Sequence, residues 1–288
     1  MKKISITILA CAAALTACNK SDVQPVYSDA IIFEAAGINA SVSTKADVVE
    51  SLDAFNVGCV TGVIGSSETE VWNASFVSDG ASSPTYSAGK FWPLNDAEYK
   101  FLSSNATLTH TDSGYTVTVN DDKDVVCAVL ANPVYKTKNT LTFNHIFARL
   151  GVVEVSAASG YTISDISITV TPKTGGTYNL VTGNGHSDGT GWSNFVTGTP
   201  VEIAQAVPGS KTNNLFLVPG DYELTATWTA TRDDYTETFT GKKQTVSLAG
   251  GFVTKITAEL TGVGTELSFG VTVTPWDSVT TDVTFPIN

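Results

Sequence analysis

Hydrophobic and polar residues alternate with a period of two along most of this 288-residue chain. That period is typical of half-buried β-strands, and few stretches show the 3.6-residue period of an amphipathic helix. Turn sequences such as Asp79-Gly80 and Asp112-Ser113-Gly114 separate the alternating segments. The pattern therefore predicts an all-β protein of antiparallel strands. Strands are expected at 30–33, 41–45, 51–61, 70–76, 98–102, 114–119, 124–130, 140–143, 163–170, 201–204, 214–218, 222–230, 236–240, 244–248 and 254–260.

The strands fall into two series, and the second begins at Val152. Residues 144–150 are the one plausible helical turn of the first series. Sandwich domains of about 100 residues each would fit this length twice. We therefore expect an N-terminal β-sandwich at 46–160 and a C-terminal β-sandwich at 161–288, although no low-complexity linker separates them.

The N-terminus has the pattern of a bacterial lipoprotein signal. Lys2 and Lys3 precede an apolar run over 4–15 that is too short to span a bilayer, and Leu15-Thr16-Ala17 leads to Cys18. Such a signal predicts cleavage after residue 17 and acylation of Cys18, with palmitate-type chains holding the protein in the outer membrane. The alternative is an ordinary secretory signal in which Cys18 is incidental.

Composition excludes one class of partner. The chain carries 16 Lys and Arg against 28 Asp and Glu, a net charge of −12, and loss of the signal removes two further positive charges. Nucleic acid is therefore not expected as a partner, because binding to phosphates depends on Lys and Arg. A hydrophobic content of 42% is sufficient for a packed core.

Two cysteines remain after Cys11 and Cys18 are assigned to the signal and the anchor. An exported protein could join Cys59 and Cys127 in a disulfide. Cys59, however, continues the alternation of Phe55 and Val57, and buried cysteines behave as small hydrophobic residues. Both a disulfide and two buried thiols are therefore compatible with the sequence.

Candidate catalytic groups do not form any known motif. The three histidines lie in separate predicted elements, and the sequence contains no P-loop and no Gly-x-Ser-x-Gly. Residues 183–189 offer oxygen ligands, but their spacing matches no calcium loop, and a glycine-rich turn is the simpler interpretation. His145 lies beside Phe143 and Phe147, which favours a hydrogen-bonded histidine in a core or between domains over a catalytic one. We expect no enzyme, no cofactor and no metal.

Exposed aromatic residues would support a different function, the binding of host glycan or host protein. Trp228 lies on an alternating face that predicts burial, whereas Trp192 follows a glycine-rich stretch and is the tryptophan we expect to be exposed. The tip of a hairpin is expected at Asp233-Asp234. Asp277-Ser278-Val279 is similar to an O-glycosylation site at Ser278, although the motif is short.

Several short motifs occur in a fixed order along the chain. They are the lipobox before Cys18, Ser43-Thr44-Lys45-Ala46, residues 52–57, Lys90-Phe91-Trp92-Pro93, Tyr99-Lys100-Phe101, the segment 141–150 and Trp276. In this order they resemble the fimbrillins of Bacteroidales, the subunits of type V pili. The resemblance implies two tandem transthyretin-like Greek-key β-sandwich domains, lipoprotein export, proteolytic removal of the first strand and polymerisation with other fimbrial subunits by strand exchange at the cell surface.

The residues suggest where strand exchange would occur. Residues 18–45 would form a tether and a removable strand containing Ile31, Ile32 and Phe33, with cleavage between Lys45 and Ala46. Residues 267–273 alternate regularly, and a second alternating segment follows with Val279, Thr281, Val283, Phe285 and Ile287 on one face. This segment suits a donor strand that pairs with an exposed sheet edge. The alternatives are an ordinary last strand and an uncut Lys45 in an anchor-type subunit.

Overall fold

The structure is a computed structural model that describes residues 30–36, 51–93, 98–119, 123–262, 268–275 and 283–285. These ranges contain 21 strands and one four-residue helix. The first ten strands are β1 (Ala30–Ala36), β2 (Ala54–Thr61), β3 (Thr69–Ser78), β4 (Tyr86–Phe91), β5 (Lys100–Ser104), β6 (Leu108–Thr111), β7 (Gly114–Val119), β8 (Val126–Leu130), β9 (Asn139–Thr142) and β10 (Asn144–His145).

The remaining elements lie in the second half of the chain. They are β11 (Ala148–Ala157), β12 (Thr162–Val170), β13 (Lys173–Asn179), α1 (Leu180–Gly183), β14 (Trp192–Thr197), β15 (Val201–Glu202), β16 (Gly209–Leu217), β17 (Gly220–Arg232), β18 (Tyr235–Leu248), β19 (Phe252–Leu260), β20 (Ser268–Pro275) and β21 (Val283–Phe285). No helix in the described ranges has the length and apolarity needed to cross a membrane.

An eight-stranded sheet forms the first half, in the order β10-β8-β5-β2-β3-β4-β1-β9. Its end strands β9 and β10 are separated in the chain by Phe143 alone, so the sheet curls around its own apolar face. Alternate residues of the strands fill this inner core, with Phe33, Phe55, Phe76 and Phe101 at its centre. The hydrophobic positions of the alternating pattern therefore lie on one face of the sheet and form this core.

A four-stranded sheet covers the other face of part of the eight-stranded sheet, in the order β14-β13-β7-β6. The hydrophobic core between them, here called the junction core, combines residues from distant parts of the chain. It contains Tyr115 and Val117 of β7, Phe147, Trp192 of β14 and Phe216 of β16.

The second half forms a sandwich. A five-stranded sheet, β16-β11-β19-β20-β21, faces a four-stranded sheet, β15-β12-β17-β18, across a third hydrophobic core. Alternate residues of β17, including Leu224, Ala226 and Trp228, point into this core. The prediction of an all-β chain is therefore confirmed.

The expected domain boundary near Gly160 stays a prediction, because strand pairing crosses that position. β11 precedes Gly160 and pairs with β16 and β19, whereas β13 follows it and pairs with β7. The tandem transthyretin-like arrangement likewise stays a prediction.

Some predicted elements differ from the structure. The helical turn expected at 144–150 is wrong, because Asn144–His145 pairs with β8 and Ala148 begins β11. The strands expected at 236–240 and 244–248 are one continuous strand, β18. β4, β13 and β14 were not predicted, because their glycine, serine and asparagine residues interrupt the alternation. β6 was not predicted either, because a strand of four residues gives only a short alternating pattern. The strand expected at 41–45 lies outside the described residues.

Candidate functional site

The first strand, β1, lies inside the eight-stranded sheet. It pairs antiparallel with β4, with Ile32 opposite Ser87, and parallel with β9, with Phe33 opposite Asn139. The backbone N–H of Phe143 also donates a hydrogen bond of 2.7 Å to the carbonyl of Ala36. Both edges of β1 are thus occupied by neighbouring strands.

The side chains of β1 divide between the core and the surface. Ile31 and Phe33 are buried, with exposed fractions of 1% and 0%. The Phe33 ring lies 5.1 Å from that of Phe76 and 4.9 Å from that of Phe101, measured between centroids. Ile32 faces the opposite side of the sheet and is only half-buried. Of the three apolar residues predicted for this strand, two are core residues.

Lys138 adds a polar contact at the outer side of this strand. Its ammonium group forms an ion pair with the carboxylate of Glu34, and both side chains are exposed. An exposed pair of this kind contributes little to stability. The position of β1 therefore depends on its buried side chains and its two hydrogen-bonded edges.

The C-terminal segment forms two strands at one end of the five-stranded sheet. β20 pairs antiparallel with β19 from Ser268 to Pro275, and β21 pairs with β20, with Val283 opposite Val273 and Phe285 opposite Val271. Val279, Thr281 and Ile287 of the predicted donor segment lie outside the described residues, as do Cys18, Lys45, Ala46 and Ser278. The roles predicted for these residues stay predictions.

Cys59 and Cys127 are both free and buried. Cys59 points into the inner core, whereas Cys127 belongs to the junction core on the other face of the same sheet. Two thiols on opposite faces of a sheet cannot form a disulfide. Burial raises the pKa of the Cys127 thiol to about 12 and that of Cys59 well above its usual range. Of the two alternatives left by the sequence, the structure shows the buried thiols.

The expectation that Trp192 is exposed is wrong. Its exposed fraction is 8%, and its ring lies 4.9 Å from that of Phe147 and 5.3 Å from that of Tyr178. β13 pairs with β14 and carries this tryptophan into the junction core. The expectation that Trp228 is buried is confirmed, since it is 3% exposed and stacks on Phe239.

The other candidate polar residues also have structural partners. His145 is buried, and its Nδ1 lies 2.9 Å from a carboxylate oxygen of Asp124, as expected of a core histidine. In the glycine-rich turn, the N–H of Thr190 donates to Asp188 over 3.0 Å. Within the described ranges, His, Cys, Asp and Glu form no group of three that could hold a metal ion.

Several solved structures are similar to this chain, among them two with TM-scores above 0.5. No protein-family model matches the chain, and no curated protein matches it. A fimbrial protein from Bacteroides vulgatus has a TM-score of 0.56 at 12% identity, over 86% of this chain and 99% of that one. A Parabacteroides distasonis protein, provisionally described as a cell adhesion protein, has a TM-score of 0.53 at 10% identity, over 88% and 98% of the respective chains.

Sequence identities of 10% and 12% establish a shared fold but not a shared function. The resemblance to fimbrillins seen in the sequence is therefore confirmed at the level of fold. The chain has the all-β fold of a Bacteroidales fimbrial protein.

Proposed function

We propose that the protein is a structural subunit of a cell-surface fimbria, exported as a lipoprotein and polymerised when proteolysis releases its first strand. The observation that carries the proposal is the position of β1, a seven-residue strand held between β4 and β9. The fold shared with a fimbrial protein supports the same interpretation. Other fimbrial subunits are then the principal partners, in a homopolymer or a heteropolymer.

Removal of β1 would expose both apolar surface and backbone. Full burial of Ile31 and Phe33 is worth about 3 to 6 kcal/mol in total, at about 1.5 to 3 kcal/mol for each side chain. β4 and β9 would each lose a hydrogen-bonded neighbour. An open apolar slot beside two unpaired edges favours pairing with another chain. Loss of β1 therefore prepares the subunit for assembly.

The C-terminal segment is our candidate for the strand that enters this slot. β21 is a three-residue strand at the end of its sheet and pairs with β20 alone among the described strands. Val283 and Phe285 of β21 are two residues apart in the chain, as are Ile31 and Phe33 of β1. Insertion beside β4 would be β-augmentation, in which alternate side chains fill pockets while the backbone extends a sheet.

A comparison of two truncated chains tests the proposal. One begins at Asn19 and retains β1, and the other begins at Ala46 and lacks it. We expect the first to be monomeric. The second should form polymers that resist the detergent and appear on denaturing gels as a ladder of bands, which disappears when the sample is heated. A synthetic peptide of residues 28–37, added in excess, should suppress the ladder by refilling the slot. A monomeric Ala46 chain with an unchanged unfolding temperature would contradict the proposal.

Matched variants of the tail test the donor role separately. In the chain that begins at Ala46, Phe285→Asp should abolish the ladder. Thr284→Asp should retain it, because neighbouring residues of a donor strand point to opposite faces and only one face enters the slot. A ladder that survives Phe285→Asp would exclude this tail as the donor and leave the role of β1 intact. Sequencing the N-terminus of surface material tests whether cleavage follows Lys45.

A surface lipoprotein or pilus-tip adhesin that binds host glycan or protein is the second candidate function. Burial of Trp192 removes the residue that the sequence favoured for this role. The shared fold with a protein provisionally described as a cell adhesion protein supports it.

A further inference from the structure

An open cleft of about 570 Å³ lies at the tip of the β17–β18 hairpin. It is separate from β1. Two tyrosines, an arginine, two aspartates and a glycine line it: Tyr161, Arg232, Asp233, Asp234, Tyr235 and Gly262. Aromatic faces beside a few charged groups are typical of small-molecule sites.

Tyr235 presents an aromatic face to solvent. Its side chain is 63% exposed, the most exposed of the large hydrophobic residues in the described ranges. The phenol donates a hydrogen bond of 3.1 Å to Glu237, two residues further along β18. An exposed ring oriented in this way offers a large contact area at little cost in conformational entropy.

Tyr161 is fixed from two sides. A Cβ added to Gly262 would lie 2.5 Å from Cε1 of the Tyr161 ring, so only glycine allows the backbone to approach this closely. The guanidinium carbon of Arg232 lies 5.6 Å from the centroid of the same ring, within the range of a cation–π contact. The second aromatic wall of the cleft is thus held in place before any ligand binds.

The polar groups of the cleft can form hydrogen bonds with the hydroxyl groups of a ligand. Asp233 and Asp234 form the two-residue tip between the paired residues Arg232 and Tyr235, and both are exposed. Their carboxylates accept hydrogen bonds and the Arg232 guanidinium donates them, whereas a sugar hydroxyl does both. One arginine and two aspartates leave a negative excess, which disfavours anionic ligands.

We propose that this cleft binds a neutral saccharide, with a pyranose ring against Tyr235 and its hydroxyl groups bonded to Asp234 and Arg232. The cleft lies at the end of β11 and β19, where Ala157 pairs with Leu260, whereas the junction core lies near the start of β11. A strand of ten residues spans about 30 Å at about 3.3 Å per residue. The slot occupied by β1 belongs to the inner core, on the other face of the eight-stranded sheet from the junction core, so it is further from the cleft still and saccharide binding does not require it.

A glycan array with neutral, sialylated and sulfated oligosaccharides tests the proposal, using the chain that begins at Asn19. Saturation-transfer NMR with the strongest neutral hit then gives the affinity. We expect Tyr235→Ala and Asp234→Ala each to weaken binding about tenfold, a change of about 1.4 kcal/mol. Tyr135→Ala is the matched control, because Tyr135 is also an exposed tyrosine, at 45%, but does not line the cleft. This variant should bind the saccharide as tightly as the unsubstituted chain.

Three results would overturn the proposal. The first is the absence of any neutral saccharide above background on the array. The second is neutral saccharide binding that survives Tyr235→Ala. The third is tighter binding of a lysine-rich peptide than of any neutral saccharide, which would make the cleft a site for a cationic protein segment. Far-ultraviolet circular dichroism verifies that the variants fold, and the polymer ladder tests the fimbrial role independently.

Discussion

At the scale of single residues, neighbours in β1 have different roles. Phe33 is fully buried among aromatic rings, whereas the adjacent Ile32 is half-buried on the other face. This alternation follows from the pleat of a strand, in which successive side chains point to opposite faces. The sequence grouped Ile31, Ile32 and Phe33 together, and the structure separates them.

Phe33→Ala should destabilise the chain that begins at Asn19 by about 3 to 5 kcal/mol, the usual cost of truncating a buried phenylalanine. Ile32→Ala is the matched control on the same strand and should cost clearly less, because Ile32 is only half-buried. Urea unfolding followed by tryptophan fluorescence gives both values. Equal costs for the two variants would contradict the placement of β1 in the core.

The sequence predicted burial well where alternation was regular and poorly where glycine interrupted it. Cys59 and Trp228 lie in strands with clear alternation, and both are buried as expected. Trp192 follows Gly189-Thr190-Gly191, which indicated an exposed loop. Its burial depends on contacts with Phe147 and Tyr178, and local sequence carries no signal for contacts across that distance. Sequence alone also gave no reason to associate Tyr161 with Tyr235.

At the scale of elements, β18 shows why one strand was predicted as two. Ala226 pairs with Lys242 and Trp228 with Phe239, so the one intervening residue of β17 faces two residues of β18, Thr240 and Gly241. Gly241 has a φ of +62°, and its N–H donates to the hydroxyl of Thr227 over 3.3 Å. This is a β-bulge, and it interrupts the alternation without ending the strand.

The bulge gives β18 one residue more than β17 while Phe239 and Val246 both face the core. Deletion of Gly241 leaves Thr240 alone opposite Thr227, so both parts of β18 should stay in register and the cost should be small. Deletion of Thr240 and Gly241 together should instead shift one part by one residue and turn either Phe239 or Val246 away from the core, because a one-residue slip reverses every side chain. For this double deletion we expect a loss of several kcal/mol, on the order of one large buried side chain or more.

Thermal unfolding of the two deletion variants distinguishes a register shift from a general intolerance of change. If deletion of Gly241 alone proves as damaging as the double deletion, loss of the bulge rather than a register shift explains the effect. An edge strand of fourteen residues is also a site for unwanted pairing. The bulge and the neighbouring Lys242 and Lys243 protect this edge, so deletion of Gly241, which removes the bulge, should increase aggregation.

At the scale of the whole molecule, the junction core links parts of the chain that the sequence assigned to separate domains. β13 and β14 follow β12 in the chain but pair with β7, and Trp192 packs on Phe147 at the start of the second half. Residues of β16 complete the same core. Local patterns predict strands, but they do not specify which distant strand is the partner. For this reason the fold class was predictable and the junction was not.

Trp192→Ala should therefore destabilise both halves of the molecule together. We expect a loss of about 3 to 5 kcal/mol, as for other buried aromatic residues, with a single unfolding transition. Phe195→Ala is the matched control on the same strand, because Phe195 is 48% exposed, and it should cost much less. Native-state hydrogen exchange at amides of β7 and β17 is the deciding measurement, since a shared core lowers protection in both strands. Loss of protection confined to β7, β13 and β14 would instead mean that the sheet carrying Trp192 unfolds independently of the C-terminal sandwich.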